Sequence, residues 1–343
     1  MSRSIPVLAV ALGVLALSCN GAKSPTREMP PSSTTEVPAS STVDHLVVRG
    51  LEVDFLPTTL TDRWSMALHV PYGSAIDEVG NGTKIGENLG PEVPILLDAL
   101  GRWWVSDTYK ERIAVFDLDG SLVDEIHLPA RSPVSSMRQL TDGRVVGVSN
   151  QGRIAVIDGQ GVSYHMIGEE NVTLLDVHDT TVFGFPTVGD RFAIDFSDPT
   201  LSVEPVDYVA GRGGQRYLVS GVPDDMSLIR VELPDANPPV QILIDVVTDE
   251  GGPVVVIPEG VSDLTGRLHI LLFGVSDASP EVQRGLYLRF SSSGALEETV
   301  PVPDPLGDLD DGSLGHLDLD AEGNALLSVI DADGVRVWKL EPA

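Results

Sequence analysis

Between residues 95 and 129 the chain reads ILLDALGRWWVSDTYKERIAVFDLDGSLVDEIHLP, four short apolar runs punctuated by turn signals. Runs this short, broken by Gly or Asp-Gly, have the make-up of consecutive antiparallel strands joined by hairpins. The same text then recurs. Residues 134–167 repeat the second strand as TDGRVVGVS and the third, with its turn, as GRIAVIDGQG; residues 172–206 hold a degenerate copy. A fourth copy carries QRYLVSG and SLIRVELPD, a fifth GRLHILLFG and GLYLRFSSSG, and a sixth, GHLDLDAEGNALLSVIDADGVRVWKLEP, runs almost to the C-terminus.

Aligned on the first residue of the third strand, the copies start at Ile113, Ile154, Phe192, Ile229, Leu286 and Val335, in steps of 41, 38, 37, 57 and 49 residues. A repeat of this period made of four strands is one blade of a propeller, and the longer steps are loop insertions. The last copy supplies only three strands. Residues 45–56 (HLVVRGLEVDFL) and 63–70 (RWSMALHV) are the candidates for a borrowed strand that closes the ring and removes an exposed edge. The predicted fold is all-β: a single six-bladed β-propeller of four-stranded antiparallel blades, closed by an N-terminal strand. No stretch has the sustained helical period that a second, mixed domain would need.

Residues 86–120, GENLGPEVPILLDALGRWWVSDTYKERIAVFDLDG, resemble an NHL repeat. Gly90 and Pro91, Asp98, Gly101, Asp107, Arg112, and Asp117 with Gly120 hold the places of its glycine-proline approach, two strand-ending aspartates, arginine and final Asp-x-x-Gly. The resemblance covers one blade well and the second and sixth in part. It implies a six-bladed propeller, a fold that hosts binding scaffolds, extracellular sensors and a few enzymes.

Cys19 is the sole cysteine, so no disulfide closes within the chain. Ahead of it, MSRSIP carries one charge, Arg3; the run from Val7 to Leu17 is apolar and too short to span a bilayer; Ser18 is small. Leu15-Ala16-Leu17-Ser18-Cys19 resembles a bacterial lipobox, which implies cleavage before Cys19 and lipidation of its thiol. An ordinary secretory signal that happens to contain a cysteine is the alternative. The following text, NGAKSPTREMPPSSTTEVPASSTV, is rich in Ser, Thr and Pro and nearly devoid of large apolar residues, as expected of a disordered spacer. The expected organisation is a lipoprotein signal over 1–18, a lipid-anchored tether over 19–43 and the propeller over 44–343, at the bacterial cell envelope outside the cytoplasmic membrane.

The 51 acidic residues outnumber the 22 basic ones, for a net charge of −29. Such a surface disfavours nucleic acid and anionic lipid as partners. It would attract cations, calcium among them, although solvation alone accounts for charge of this kind. The acidic run DPLGDLDDGS, residues 304–313, misses the EF-hand spacing and reads as a flexible loop.

Seven residues before the turn glycines Gly214, Gly266 and Gly323 stand Asp207, Glu259 and His316, at matching starts of three successive inner strands. Convergence on the channel mouth would let them hold a ligand or a divalent cation. Trp103 and Trp104 alternate across a strand, which predicts one in an interblade core and the other on a solvent or edge face. Asp107 and Arg112 flank a hairpin and are expected to pair across it. Of the other histidines, His45, His69, His127, His165, His178 and His269, none is spaced for metal. The chain shows no Gly-x-Ser-x-Gly elbow, no His-Glu-x-x-His pair and no phosphate-cradling loop.

Two insertions, 247–261 and 274–284, are expected on the same face as the loop 301–315, where binding sites are commonly built. The pattern favours a monomeric binding or scaffolding module for a protein, peptide or glycan. The alternative is a metal-dependent hydrolase or lyase of the lactonase and gluconolactonase kind, resting on Asp207, Glu259 and His316.

Overall fold

The computed structural model describes residues 46–55, 61–84, 87–89, 91–129, 132–149, 152–159, 161–167, 172–186, 191–222, 225–248, 254–276, 279–303, 316–331 and 333–342. The lipobox-like segment, the expected spacer, His45 and the acidic run 304–313 lie outside them.

Two strands, β1 (Val47–Asp54) and β2 (Trp64–Pro71), and a small hairpin, β3 (Gly82–Lys84) with β4 (Glu87–Leu89), precede six sheets. Blade 1 holds β5 (Pro91–Leu97), β6 (Trp103–Asp107), β7 (Arg112–Phe116) and β8 (Leu122–His127); blade 2 holds β9 (Ser135–Gln139), β10 (Val145–Ser149), β11 (Arg153–Asp158) and β12 (Gly161–Met166). Blade 3 holds β13 (Val172–His178), β14 (Thr181–Pro186), β15 (Phe192–Asp195) and β16 (Val203–Pro205); blade 4 holds β17 (Val209–Ala210), β18 (Arg216–Val222), β19 (Asp225–Leu233) and β20 (Val240–Val247). Blade 5 holds β21 (Val254–Ser262), β22 (Leu268–Ser276), β23 (Ser279–Phe290) and β24 (Leu296–Pro301); blade 6 holds β25 (His316–Leu319), β26 (Ala325–Asp331) and β27 (Gly334–Leu340).

Each sheet runs in chain order from the channel outwards, and all six predicted third-strand residues, Ile113 to Val335, are buried. The fourth strand of blade 6 is β2, antiparallel to β27 from Trp64↔Leu340 to Pro71↔Gly334, so the N-terminal strand closes the ring.

The other candidate, residues 45–56, does something else. β1 lies parallel to β20 as a fifth strand on blade 4, in register from Val47↔Val240 to Asp54↔Val247. Arg49 Nη1 donates to Gly294 O at 2.8 Å, and Arg284 Nη1 donates to Phe55 O at 2.8 Å, so both ends of β1 are fastened to blade 5. Arg63 then pairs with Glu298 at 2.5 Å, and Trp64 Nε1 donates to Pro301 O at 2.9 Å. The N-terminal segment therefore grips the outer rims of blades 4, 5 and 6.

The core is a set of seams between blades. Along β6 and β7, Trp103, Val105, Ala114 and Phe116 face blade 6, whereas Trp104, Ile113 and Val115 face blade 2. Trp103 is 2% and Trp104 8% exposed. The expectation of one solvent-facing tryptophan fails because the inner strands of a closed ring have a neighbouring blade on each side. Strands buried on both faces lose the alternation of polar and apolar residues.

Asp107 and Arg112 are cross-strand partners, with Arg112 Nε 3.5 Å from Asp107 Oδ2. Arg112 also donates to Ile76 O at 2.7 Å and Glu78 O at 2.8 Å, and Gly80 N donates to Asp107 Oδ2 at 3.0 Å, fixing the segment after β2 against blade 1. The insertion expected at 274–284 is mostly a lengthening of the β22–β23 hairpin, and most of that at 247–261 is strand β21.

Phe55 is 1% exposed in the seam that joins blades 4 and 5. Phe55→Ala is expected to lower unfolding free energy by about 3–5 kcal/mol, as for other buried aromatic truncations. Val48→Ala, on the exposed side of β1, should change it by less than about 0.5 kcal/mol. Urea unfolding of both variants checks the contrast; equal effects would mean that β1 does not fasten the rim.

Candidate functional site

The inner strands β5, β9, β13, β17, β21 and β25 surround the channel, and charged side chains that a β-strand would normally turn to water gather there. They are Arg138 on β9, Asp176 on β13, Glu259 on β21, His316 and Asp318 on β25, and Arg212 just beyond β17. His316 and Asp318 are two residues apart and so share a face.

Glu259 and His316 meet. Glu259 Oε1 lies 3.2 Å from His316 Nδ1, and Leu317 N donates to Glu259 Oε2 at 3.0 Å. Burial penalises the Glu259 charge, but His316, the Leu317 N–H and Arg138 outweigh it and hold the carboxyl below its usual range. Their side chains remain 23% and 25% exposed, because solvent reaches them along the channel.

Asp207 does not join them. It is exposed, in a bend that precedes the two-residue strand β17, and its neighbour Tyr208 is drawn to Glu232 on blade 4 at 3.1 Å. Counting back from Gly214 presumes an inner strand as long as those of blades 5 and 6, and β17 is too short. Among the described residues no three His, Cys, Asp or Glu side chains are grouped to hold a metal ion.

One layer on, Tyr217 Oη stands 2.9 Å from both Asp176 Oδ2 and Gly260 O, and Ser262 N donates to Asp176 Oδ2 at 3.2 Å. Burial pushes the Asp176 carboxyl up against the pull of Arg212 and Arg138. A proton on Asp176 would give this chain of oxygens the second hydrogen it needs. Arg212 donates to Asp318 Oδ1 at 2.5 Å and to Leu319 O at 2.7 Å. Gly211 permits the close approach of blade 5: a Cβ there would lie 2.3 Å from Ser262 Cβ.

At the end where inner strands turn into second strands, three blades use the same device. Asp98 accepts Leu100 N and Arg102 N, both at 2.9 Å; Asp263 accepts Thr265 N at 2.8 Å and Arg267 N at 2.9 Å; Asp320 accepts Glu322 N at 3.0 Å and Asn324 N at 2.8 Å. Gly101, Gly266 and Gly323 follow with positive φ. The residue after the first turn position is left facing the axis. In the six blades it is Ala99, Thr141, Asp179, Arg212, Leu264 and Ala321, and together they ring a cavity of about 230 Å3. Arg138 and Leu319, both buried, and half-buried Gln139 also line it, and a second cavity of about 230 Å3 adjoins it through Arg212, Leu264, Leu319 and Ala321.

The sequence points to a channel-mouth site at Asp207, Glu259 and His316, not to these turn residues. A signal existed in MRQLTDG, LLDVHD and HLDLDAEG, where a charge interrupts an apolar strand two residues before its turn.

A family model matches residues 62–340, from just before the closing strand to the end of β27. The chain belongs to that family, a domain of unknown function (DUF7485). No curated protein matches it. Among solved structures, it is similar to virginiamycin B lyase from Staphylococcus aureus at 12% identity over 74% of this chain and 96% of that one, with a TM-score of 0.42. A gluconolactonase from Xanthomonas campestris aligns at 13% identity over 74% and 86%, TM-score 0.44, and a chain of the mitotic checkpoint complex at 12% over 92% and 99%, TM-score 0.44. These likenesses bear on no residue's role in DUF7485.

The turn aspartates set the acid response. Burial penalises the charge on Asp263, but the His269 imidazole 3.5 Å away and hydrogen bonds from Thr265 and Arg267 outweigh it and hold the carboxyl well below its usual value; Asp98 and Asp320 are lowered in the same manner. A depressed folded-state pKa gives stability that is complete above the unfolded value of 3.8 and lost as pH falls through the folded one. Urea unfolding between about pH 7 and about pH 3 should therefore show a smaller loss in Asp263→Asn than in the wild type. An unchanged loss would mean that the Asp263 turn does not contribute to it.

Proposed function

We propose that this DUF7485 protein is a ligand-binding propeller of the bacterial cell envelope, held outside the cytoplasmic membrane by a lipid on Cys19 and a Ser/Thr/Pro-rich tether. The observation that carries the binding role is the cavity at the channel mouth, to which all six blades contribute a residue. A site assembled from the turns of a closed ring is pre-formed, and rigid scaffolds with concave, mixed apolar and polar mouths are where ligands bind. The ligand is a protein, peptide or glycan component, or a small molecule reaching the envelope. The NHL-like blade at residues 86–120 is in keeping with a scaffold of this type.

The second reading, a calcium-dependent hydrolase or lyase, draws on Glu259 and His316, a carboxylate and an imidazole in hydrogen-bond contact within reach of solvent. It would need further ligands beyond that pair, Asp207 being turned away.

Thermal unfolding with and without millimolar calcium, at matched ionic strength, separates the two. The binding role expects no rise in midpoint beyond screening of the −29 charge. A calcium-specific rise that vanishes in Glu259→Ala would favour the enzyme. For the anchor, Cys19→Ser is expected to move the protein from the membrane fraction to the soluble one; retention on the membrane would rule out the lipid.

A further inference from the structure

We infer that the channel mouth binds a free apolar α-amino acid as its zwitterion. This rests on the binding role proposed above and gives it a ligand class. The ring of residues is divided by chemistry. Thr141, Asp179 and Arg212, from the consecutive blades 2, 3 and 4, form a polar arc with a carboxylate, 3.7 Å from His178, and a guanidinium that Asp318 already pairs on one side. Leu264, Ala321 and Ala99, from blades 5, 6 and 1, form an uncharged, apolar arc opposite. A ligand matching both arcs carries a cationic and an anionic group side by side and an apolar group directed away from them.

Individual side chains sharpen the match. Arg212 is fixed by Asp318 and Leu319 O, which leaves it other N–H groups for a carboxylate and reduces the side-chain entropy lost on binding. Gln139 Oε1 accepts Ala99 N at 2.7 Å, leaving its amide N–H groups without a hydrogen-bond partner among the described residues and available to the same carboxylate. Asp179 is exposed and would meet the ammonium. Leu264 is 69% exposed at the mouth, where the apolar group of a ligand would meet it.

Size and field agree. The cavity of about 230 Å3 alone holds one amino acid, and the adjoining cavity beyond Leu264 and Ala321 leaves room for a larger apolar side chain. Around a protein of net charge −29, a net anion would be repelled, whereas a zwitterion is neutral as a whole and is read by the two local charges.

Calorimetric titration of the full-length chain with L-leucine tests this, with N-acetyl-leucine, which lacks the ammonium, and leucinamide, which lacks the carboxylate, as companions. Leucine is expected to bind saturably, and each companion about tenfold more weakly or worse. Leu264→Glu and Asp179→Asn, the second keeping a residue that tolerates the positive φ of that turn, are expected to weaken leucine about tenfold each. Circular dichroism checks that both variants are folded. Three outcomes overturn the inference: no leucine binding, equal binding of all three compounds, or leucine affinity unaltered in both folded variants. Any of these leaves the calcium result untouched, so a wrong ligand class is distinguishable from a wrong binding role.

Discussion

Every blade has to be covered on both faces, and this constraint organises the molecule. Trp103 and Trp104 are adjacent in sequence and pack into different seams. A sheet with large apolar groups on both sides is insoluble alone and stable only between two neighbours, a condition that a row of blades cannot meet at its ends and a ring can. The pairing of β2 with β27 is what makes the row a ring. With no disulfide within the chain, closure rests on that ladder and on the rim contacts from Arg49 to Trp64 that reinforce it.

Much of the fold is legible in the sequence because each blade is written in the same local code. Ile113, Ile154 and Val335 are all fully buried on third strands, as their spacing predicts. What is not legible has physical causes. Whether a strand is buried on one face or two is decided by the neighbouring blade, which lies some forty residues away in a four-stranded repeat, so the tryptophans are misjudged. Residues 45–56 and 63–70 both have strand character, and their choice between a parallel place on blade 4 and the closing place on blade 6 depends on contacts with Gly294 and Arg284, distant in sequence.

The candidate site was legible only in part. Glu259 and His316 are brought together because β21 and β25 keep the register that their turn glycines imply. Asp207 is not, because blade 4 reaches its turn with a two-residue inner strand. Regular counting works where the repeat is regular. The channel charges Arg138, Asp176, Arg212 and Asp318 were hidden for a related reason: a single charge in an apolar strand looks like an outward-facing residue until the ring places it on the axis.

If the mouth binds a ligand as proposed, the turns separate stability from recognition. In blades 1, 5 and 6 the aspartate carboxylate accepts the backbone N–H groups and the glycine supplies the positive φ, so those two positions define the turn. The residue immediately after the aspartate donates nothing through its side chain to that turn and points to the axis. It is alanine, leucine and alanine in these three blades, and threonine, aspartate and arginine in the other three, whose turns begin at Leu140, His178 and Gly211. A ring built this way can change what its mouth recognises with little effect on the hydrogen bonds that hold it closed. The apolar arc falls on the three blades whose turns an aspartate caps, and the charged arc on those where Arg212 and Asp176 instead connect non-adjacent blades across the channel, blade 4 to blade 6 and blade 3 to blade 5. On the charged side, recognition and cohesion share residues, so substitutions at Arg212 must carry a structural cost that those at Leu264 do not.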